Sequence, residues 1–170
     1  MNETPVEYRQ RIFGTLGSHP PLEVLQQTPA LLRDWMEAHA TAKWKERASP
    51  DQWSAAQVLS HLAEGEIVFA YRIRMTARSS GASIQGFDQD VWMEKCTYLI
   101  DDPNLAMKVF DAVRQANLAY IRSLQPGDYE NYGIHSERGK ETVRDLLRMC
   151  AGHDLNHLRQ IEERLNPITA

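Results

Sequence analysis

Four long segments of helix-periodic apolar residues, each opened by a start signal, predict an all-α protein: a four-helix bundle with an additional short N-terminal helix. No convincing β-alternation lies between them. The composition, 42% apolar and 25% charged over 170 residues, is that of a globular chain long enough to bury a core. No internal repeat or low-complexity linker divides it, so residues 1–170 read as one domain.

The arm MNETPVEYRQRIF is expected to be helical, and its early acids and missing apolar run exclude a secretory signal. Thr28–Pro29 then reads as an N-cap with proline at the first helical position. Leu31, Leu32, Trp35 and Ala42 continue that face, which predicts a helix over about 29–43 preceded by a separate short turn in PPLEVLQQ. Ser54 and Gln57 form an S-x-x-Q capping box, and Ala55, Val58, Leu62, Phe69 and Ile73 make one stripe, predicting a helix over 55–77. The glycine- and serine-rich SSGASIQGFDQD reads as a loop that shelters a short helix near 87–95. Asp102 and Pro103 open a third long helix to about Leu124. QPGDYENYGIHSERGKE reads as a turn-rich connection. Thr142 and Asp145 then start a fourth helix that ends near Leu165, before Pro167.

A formal net charge of −4 with scattered basic residues argues against a nucleic-acid partner. No stretch is apolar enough to span a membrane, and Cys96 and Cys150 are too far apart for a metal or redox motif. A cytoplasmic protein with two unpaired thiols is expected.

The chemistry concentrates in HDLNHLRQI on the fourth helix. His153 and His157 are four residues apart, so both rings leave one face about a turn apart. Two readings stand for such a pair: solvated or capped helix residues, or two neighbouring ligands of one metal. The zinc-protease motif H-E-x-x-H is excluded, because Asp154 replaces the glutamate and only thirteen residues follow His157. A third ligand has to come from another helix, and the second offers His61, at the edge of its apolar stripe as His153 and His157 are on theirs. Gly65, one turn on, leaves space beside it.

The order WSAAQVLSHLAEGE, FDQDVW and H-x-x-x-H-L-R-Q-I, over about residues 28–165, resembles the DinB-like superfamily. The resemblance implies a DinB-like four-helix bundle, often a homodimer, with a divalent metal, zinc or nickel, held by His61, His153 and His157. It also implies two kinds of member: thiol-dependent transferases and isomerases that use low-molecular-weight thiols, and proteins without known activity. Two functions follow as expectations. One is a metal-dependent transferase, thiol-linked, or hydrolase acting on a small molecule through an exchangeable coordination position. The other is a metal-bound binding or stress-response protein in which the histidines only brace the bundle.

Other residues carry paired readings. Asp154, in the middle of the fourth helix's apolar stripe, is either a polar link to another helix or an acceptor that orients a ligand imidazole. Glu64 is either a solvated helix residue or a general base or fourth ligand at the mouth of the site. Arg72, three turns from His61 on the same side, either binds a substrate carboxylate or pairs with a nearby acid. His135 either overhangs the site or lies on a surface loop, while His19 and His39 read as surface residues. Cys150 is expected to be a buried, inert thiol. The four tryptophans are expected to close the bundle ends, with Asp88 or Asp90 capping a helix or lining the pocket.

Overall fold

The computed structural model describes residues 3–166. Its helices are α1 (Pro5–Leu16), α2 (Pro21–Ala38), α3 (Thr41–Lys45), α4 (Ala55–Arg78), α5 (Gln89–Lys95), α6 (Thr97–Ile100), α7 (Pro103–Ser123) and α8 (Val143–Leu165). The caps expected at Ser54, Asp102 and Thr142 form. The Ser54 hydroxyl accepts from the Gln57 N–H while the Gln57 side chain accepts from Ser54 N, and Thr142 and Asp145 do the same for α8. Asp88 caps α5 and Asp102 caps α7. Pro167, the expected stop signal, lies outside the described residues. Among the described residues no helix is long and apolar enough to cross a membrane.

The bundle consists of α2, α4, α7 and α8. Both α2 and α4 pack against α7 and α8, which places α2 and α4 on one diagonal and α7 and α8 on the other. The connections from α2 to α4 and from α7 to α8 therefore cross the bundle. α1 lies along α8, where Gly152 admits it: a Cβ there would collide with the Ile12 carbonyl oxygen.

Two expectations are corrected. Thr28–Pro29 does not start a helix, because α2 runs unbroken from Pro21 to Ala38 and the residues near 41–45 form the separate turn α3. An internal proline leaves the carbonyl four residues back without its N–H partner. Here the Leu25 oxygen accepts from Arg114 Nη1 at 3.1 Å instead, and the Thr28 hydroxyl, rather than capping, donates to the Val24 oxygen at 2.9 Å. The connection after α7 is not only turns. A 3₁₀ turn (Pro126–Glu130) leads into β2 (Tyr132–His135) and β3 (Gly139–Thr142), which pair antiparallel, while β1 (Ala82–Ile84) joins β2 in parallel. Strands of three or four residues are too short to leave an alternation in the sequence. This sheet holds Gln85, Phe87, Glu137 and Arg138 close to the bundle.

The core divides into two apolar clusters along the bundle axis. One holds Leu32, Trp44, Leu59, Phe110 and Leu165; the other holds Ile12, Leu25, Ile73, Ile121 and Leu146. Trp44 and Trp35 pack in or on the first cluster, Trp53 leans on His61 and Trp92 is exposed, so the tryptophans do not simply cap the ends. Between the clusters each bundle helix turns polar: Thr28 on α2, Glu64 and Glu66 on α4, Arg114 and Asn117 on α7, and His153, Asp154, Asn156 and His157 on α8. Arg114, 1% exposed, anchors this layer. Its guanidinium donates to both Asp154 oxygens at 2.6 and 3.1 Å and to Glu66 at 2.8 Å, and it lies over the Phe110 ring. Asn117 completes the Glu66 carboxylate with a 2.6 Å bond. Burial alone would lower the Arg114 pKa, but Asp154 and Glu66 overcome it and hold the group well above its usual range. Cys150 and Cys96 are buried free thiols, as expected.

Removing one member of a buried ion pair leaves an uncompensated charge, at a cost of about 3–5 kcal/mol. Arg114→Met is expected to destabilise the chain by that order in urea unfolding. Replacing Arg114, Glu66 and Asp154 together by apolar residues of similar volume should recover most of the loss.

Candidate metal centre

α4 presents His61 and α8 presents His153 and His157, and the packing of these two helices brings the three rings together. One ring nitrogen from each lies within 4.8 Å of the others, and His61 Nε2 is 2.9 Å from His153 Nε2. The ring centroids are 4.3 to 4.9 Å apart. The rings do not sit at a half-wet border, as the helical wheel suggested: they are 1%, 5% and 7% exposed. Trp53 and Phe87 flank His61, and Phe69 meets His153 edge-on, so the imidazoles stand in an aromatic enclosure that a two-helix wheel cannot show.

This enclosure sets the charge state. Burial, with His157 nearby, depresses His61 to about 3; burial depresses His157 to about 4 against the opposing pull of Gln160 and Asp154. Burial, with both other rings, pushes His153 well below its ordinary value. All three are neutral at physiological pH, the form that binds metals. His157 Nδ1 lies 2.9 Å from Gln160 Oε1, which only accepts, so Nδ1 carries the proton and Nε2 keeps its lone pair. Gln160 thus orients His157, as carbonyls commonly orient ligand imidazoles. Its spacing, i+3 on the same helix, was visible in the motif, but its role was missed. Gly65 does make room as expected: a Cβ there would stand 3.6 Å from His153 Cε1, so a larger side chain would press on the ring.

The other candidates separate. Asp154 takes the polar-link role: its oxygens go to Arg114 and none to an imidazole. Glu64 is neither solvated nor in the site; it is buried and accepts from Tyr98 Oη at 2.6 Å, with the Cys96 thiol at 3.6 Å. His135 is neither overhanging nor on the surface. It is buried on β2, its Nδ1 accepts from the Glu137 N–H at 3.1 Å, and burial pulls its pKa down to about 4. His19 is exposed, whereas half-buried His39 meets Asn166 Oδ1 at 3.3 Å. Asp90 sits in the first turn of α5 under the Asp88 cap.

A cavity of about 300 Å³ opens beside the histidines. His61 and His153 line one part of it with Gly65, Val68, Phe69, Phe87 and Met149. Arg72, Arg138, Glu137 and, from the N-terminal segment, Glu3, Pro5 and Tyr8 line the rest. Arg72 is therefore where the sequence placed it, on the wall shared with His61. The contribution of the N-terminal segment was not foreseen, because that arm carries no ligand-type motif.

The sequence profile of the DinB superfamily matches residues 24–161. Two Bacillus relatives bear the name "putative metal-dependent hydrolase". That of Bacillus subtilis, YfiT, is 22% identical over 84% of this chain and 80% of its own length; that of Bacillus licheniformis is 25% identical over 81% and 79%. A relative of the same description from Oceanobacillus iheyensis is 24% identical over 64% of this chain, and the match spans 63% of that protein, less than two thirds of it. The solved structure of YfiT, described as "a probable metal-dependent hydrolase with an unusual four-helix bundle topology", superposes with a TM-score of 0.74 at 19% identity, covering 85% of each chain.

Because the three folded-state pKa values lie below that of a free imidazole, unfolding takes up protons below about pH 6.5. The metal-free protein is therefore expected to be at full stability above pH 6.5 and to lose it as the pH falls toward 4, by about 1.4 kcal/mol per pH unit for each histidine that protonates on unfolding. Urea titrations at stepped pH check this, and His157→Phe should flatten the profile.

Proposed function

This chain belongs to the DinB superfamily, and from that premise we propose that it is a metal-dependent hydrolase of a small molecule, with a divalent cation, zinc or nickel, held by His61, His153 and His157. The observation that carries this reading is the convergence of three neutral ring nitrogens, one pair at 2.9 Å, beside a cavity of about 300 Å³ that His61 and His153 line. Two nitrogens on one zinc at about 2.0–2.1 Å each stand roughly 3.3 Å apart in a tetrahedral set, so the rings need only small adjustments. Among the described residues, the hydrogen-bond contact of the His61 ring is with His153 inside the cluster, and its Nδ1 has no protein partner.

A cation held there supplies Lewis-acid polarisation and lowers the pKa of an attacking oxygen or sulfur toward neutrality. The chain's own residues do the rest. Gln160 keeps the proton of His157 on Nδ1, Gly65 leaves His153 its position, and Trp53, Phe69 and Phe87 limit water around the rings. The cavity favours turnover over a purely bracing role, because a brace requires no open volume beside its ligands. Thiol-linked transfer would use the same imidazoles with a thiol in place of water, and the names of the relatives favour hydrolysis.

Elemental analysis of untagged protein is expected to find about one divalent ion per chain, lost in His61→Ala, His153→Ala and His157→Ala alike. Retention of stoichiometric metal by His61→Ala would break the constellation. Gln160→Leu is expected to weaken metal binding by about 10- to 100-fold while leaving the fold intact. Screening the loaded protein on ester, amide and electrophilic substrates, with and without added thiol, separates hydrolysis from transfer. Consumption that requires thiol would overturn the hydrolase assignment.

A further inference from the structure

The far end of the cavity holds a cation without a counter-ion. Arg72 is 7% exposed, yet no carboxylate among the described residues lies within ion-pair distance of it. A guanidinium has five N–H donors. Among the described residues, only Nη2 of Arg72 has a protein acceptor, the Gln85 carbonyl oxygen at 2.6 Å, and the side chain lines the cavity. Two of the neighbouring acids are engaged elsewhere. Both Glu141 oxygens are taken by Arg138, at 2.7 and 3.1 Å, and both Glu3 oxygens by Arg11, at 2.7 and 3.0 Å. Glu137, exposed on the β2–β3 turn, also lines the cavity and attracts Arg72 through space, but among the described residues it does not reach ion-pair distance of a cation. Burial, reinforced by Arg138, lowers the Arg72 pKa to about 10, which still leaves it charged at neutral pH. Tyr8, on the same cavity wall, adds a hydroxyl whose proton burial retains.

A buried guanidinium is costly unless something pairs with it. We propose that Arg72 is a specificity-determining residue that binds a carboxylate of the substrate, with Tyr8 as a supporting donor, and that the substrate is an elongated monoanion with an apolar middle. Carboxylate is favoured over phosphate because one guanidinium fork and one hydroxyl match two oxygens and a single charge. The length follows from the fold. Arg72 is eleven residues from His61 on α4, about 16 Å of helix axis, with the guanidinium reaching back part of that way. Val68, Phe69, Phe87 and Met149 supply the apolar wall between the two ends. This deepens the proposed function by naming its substrate class, and it rests on that reading only in taking this cavity as the substrate site.

The test is calorimetric titration of the full chain with octanoate, 1-octanol and octyl phosphate. It is run on metal-containing and chelator-stripped protein, for wild type, Arg72→Gln and Arg72→Lys. Wild type is expected to prefer octanoate over octanol by about 10- to 100-fold in both metal states. Arg72→Gln should erase that preference, and Arg72→Lys, which loses the planar fork, should reduce it several-fold; the lysine variant decides the matter if the glutamine variant does not fold. Equal binding of acid and alcohol by wild type overturns the proposal, as does an acid preference that survives in Arg72→Lys and Arg72→Gln. A preference seen only with metal present and indifferent to Arg72 places the carboxylate at the histidines, which overturns this proposal and leaves the metal reading standing. A chain that binds no metal but shows the Arg72-dependent preference does the reverse. Tighter binding of octyl phosphate than of octanoate overturns the carboxylate assignment.

Discussion

The pairing of one buried guanidinium with two buried carboxylates constrains everything else in the bundle. Arg114 on α7 can stay charged in the interior only if Asp154 of α8 and Glu66 of α4 stand where they do, and it also takes the carbonyl of α2 that Pro29 leaves free. Four helices are thus fixed at one level, by bonds that depend on direction more than apolar contacts do. The apolar clusters above and below tolerate some sliding of volume, whereas this layer does not tolerate a change of register. It contributes less to net stability than to uniqueness, since an apolar substitute of equal shape would fold as well or better.

The histidine triad takes its geometry from the same register. Asp154 lies between His153 and His157 on α8, so pointing Asp154 at Arg114 sends the two imidazoles toward α4. Glu66 likewise points at Arg114 from α4, with Gly65 and His61 turned toward the rings. A rigid polar layer directly beside a cluster of neutral imidazoles is what a preformed ligand set requires, because ligands that must be reorganised bind a cation weakly. The aromatic rings complete the arrangement by burial, which keeps the imidazoles unprotonated at physiological pH.

The outer parts serve the cavity. The three-stranded sheet and the N-terminal helix add no ligand, yet they build the walls opposite α4. Gly152 lets the backbone of α1 approach α8 closely enough for Tyr8 to face the site, and the β1–β2 pairing holds the Gln85 carbonyl against Arg72. An interior that is apolar near the histidines and cationic at its far end results from elements distant in sequence.

By itself the sequence determined the helical class, the caps at Ser54, Asp102 and Thr142, and the identity of three histidines at helix spacings. These follow from interactions within a few residues: periodic burial, side chain-to-backbone hydrogen bonds, and an i,i+4 pair on one face. It did not reveal that α2 continues through Pro29, because the compensating donor, Arg114, is 89 residues from the Leu25 carbonyl it satisfies. Nor did it reveal the strands, which are too short to carry a period, or the partners of Glu64, Asp154 and His135, which lie on other elements. Only the tertiary structure decided which helix faces meet. That turned a pair of helix histidines into a buried triad and left Arg72 as a cation facing a cavity, with no carboxylate of the described residues within ion-pair distance.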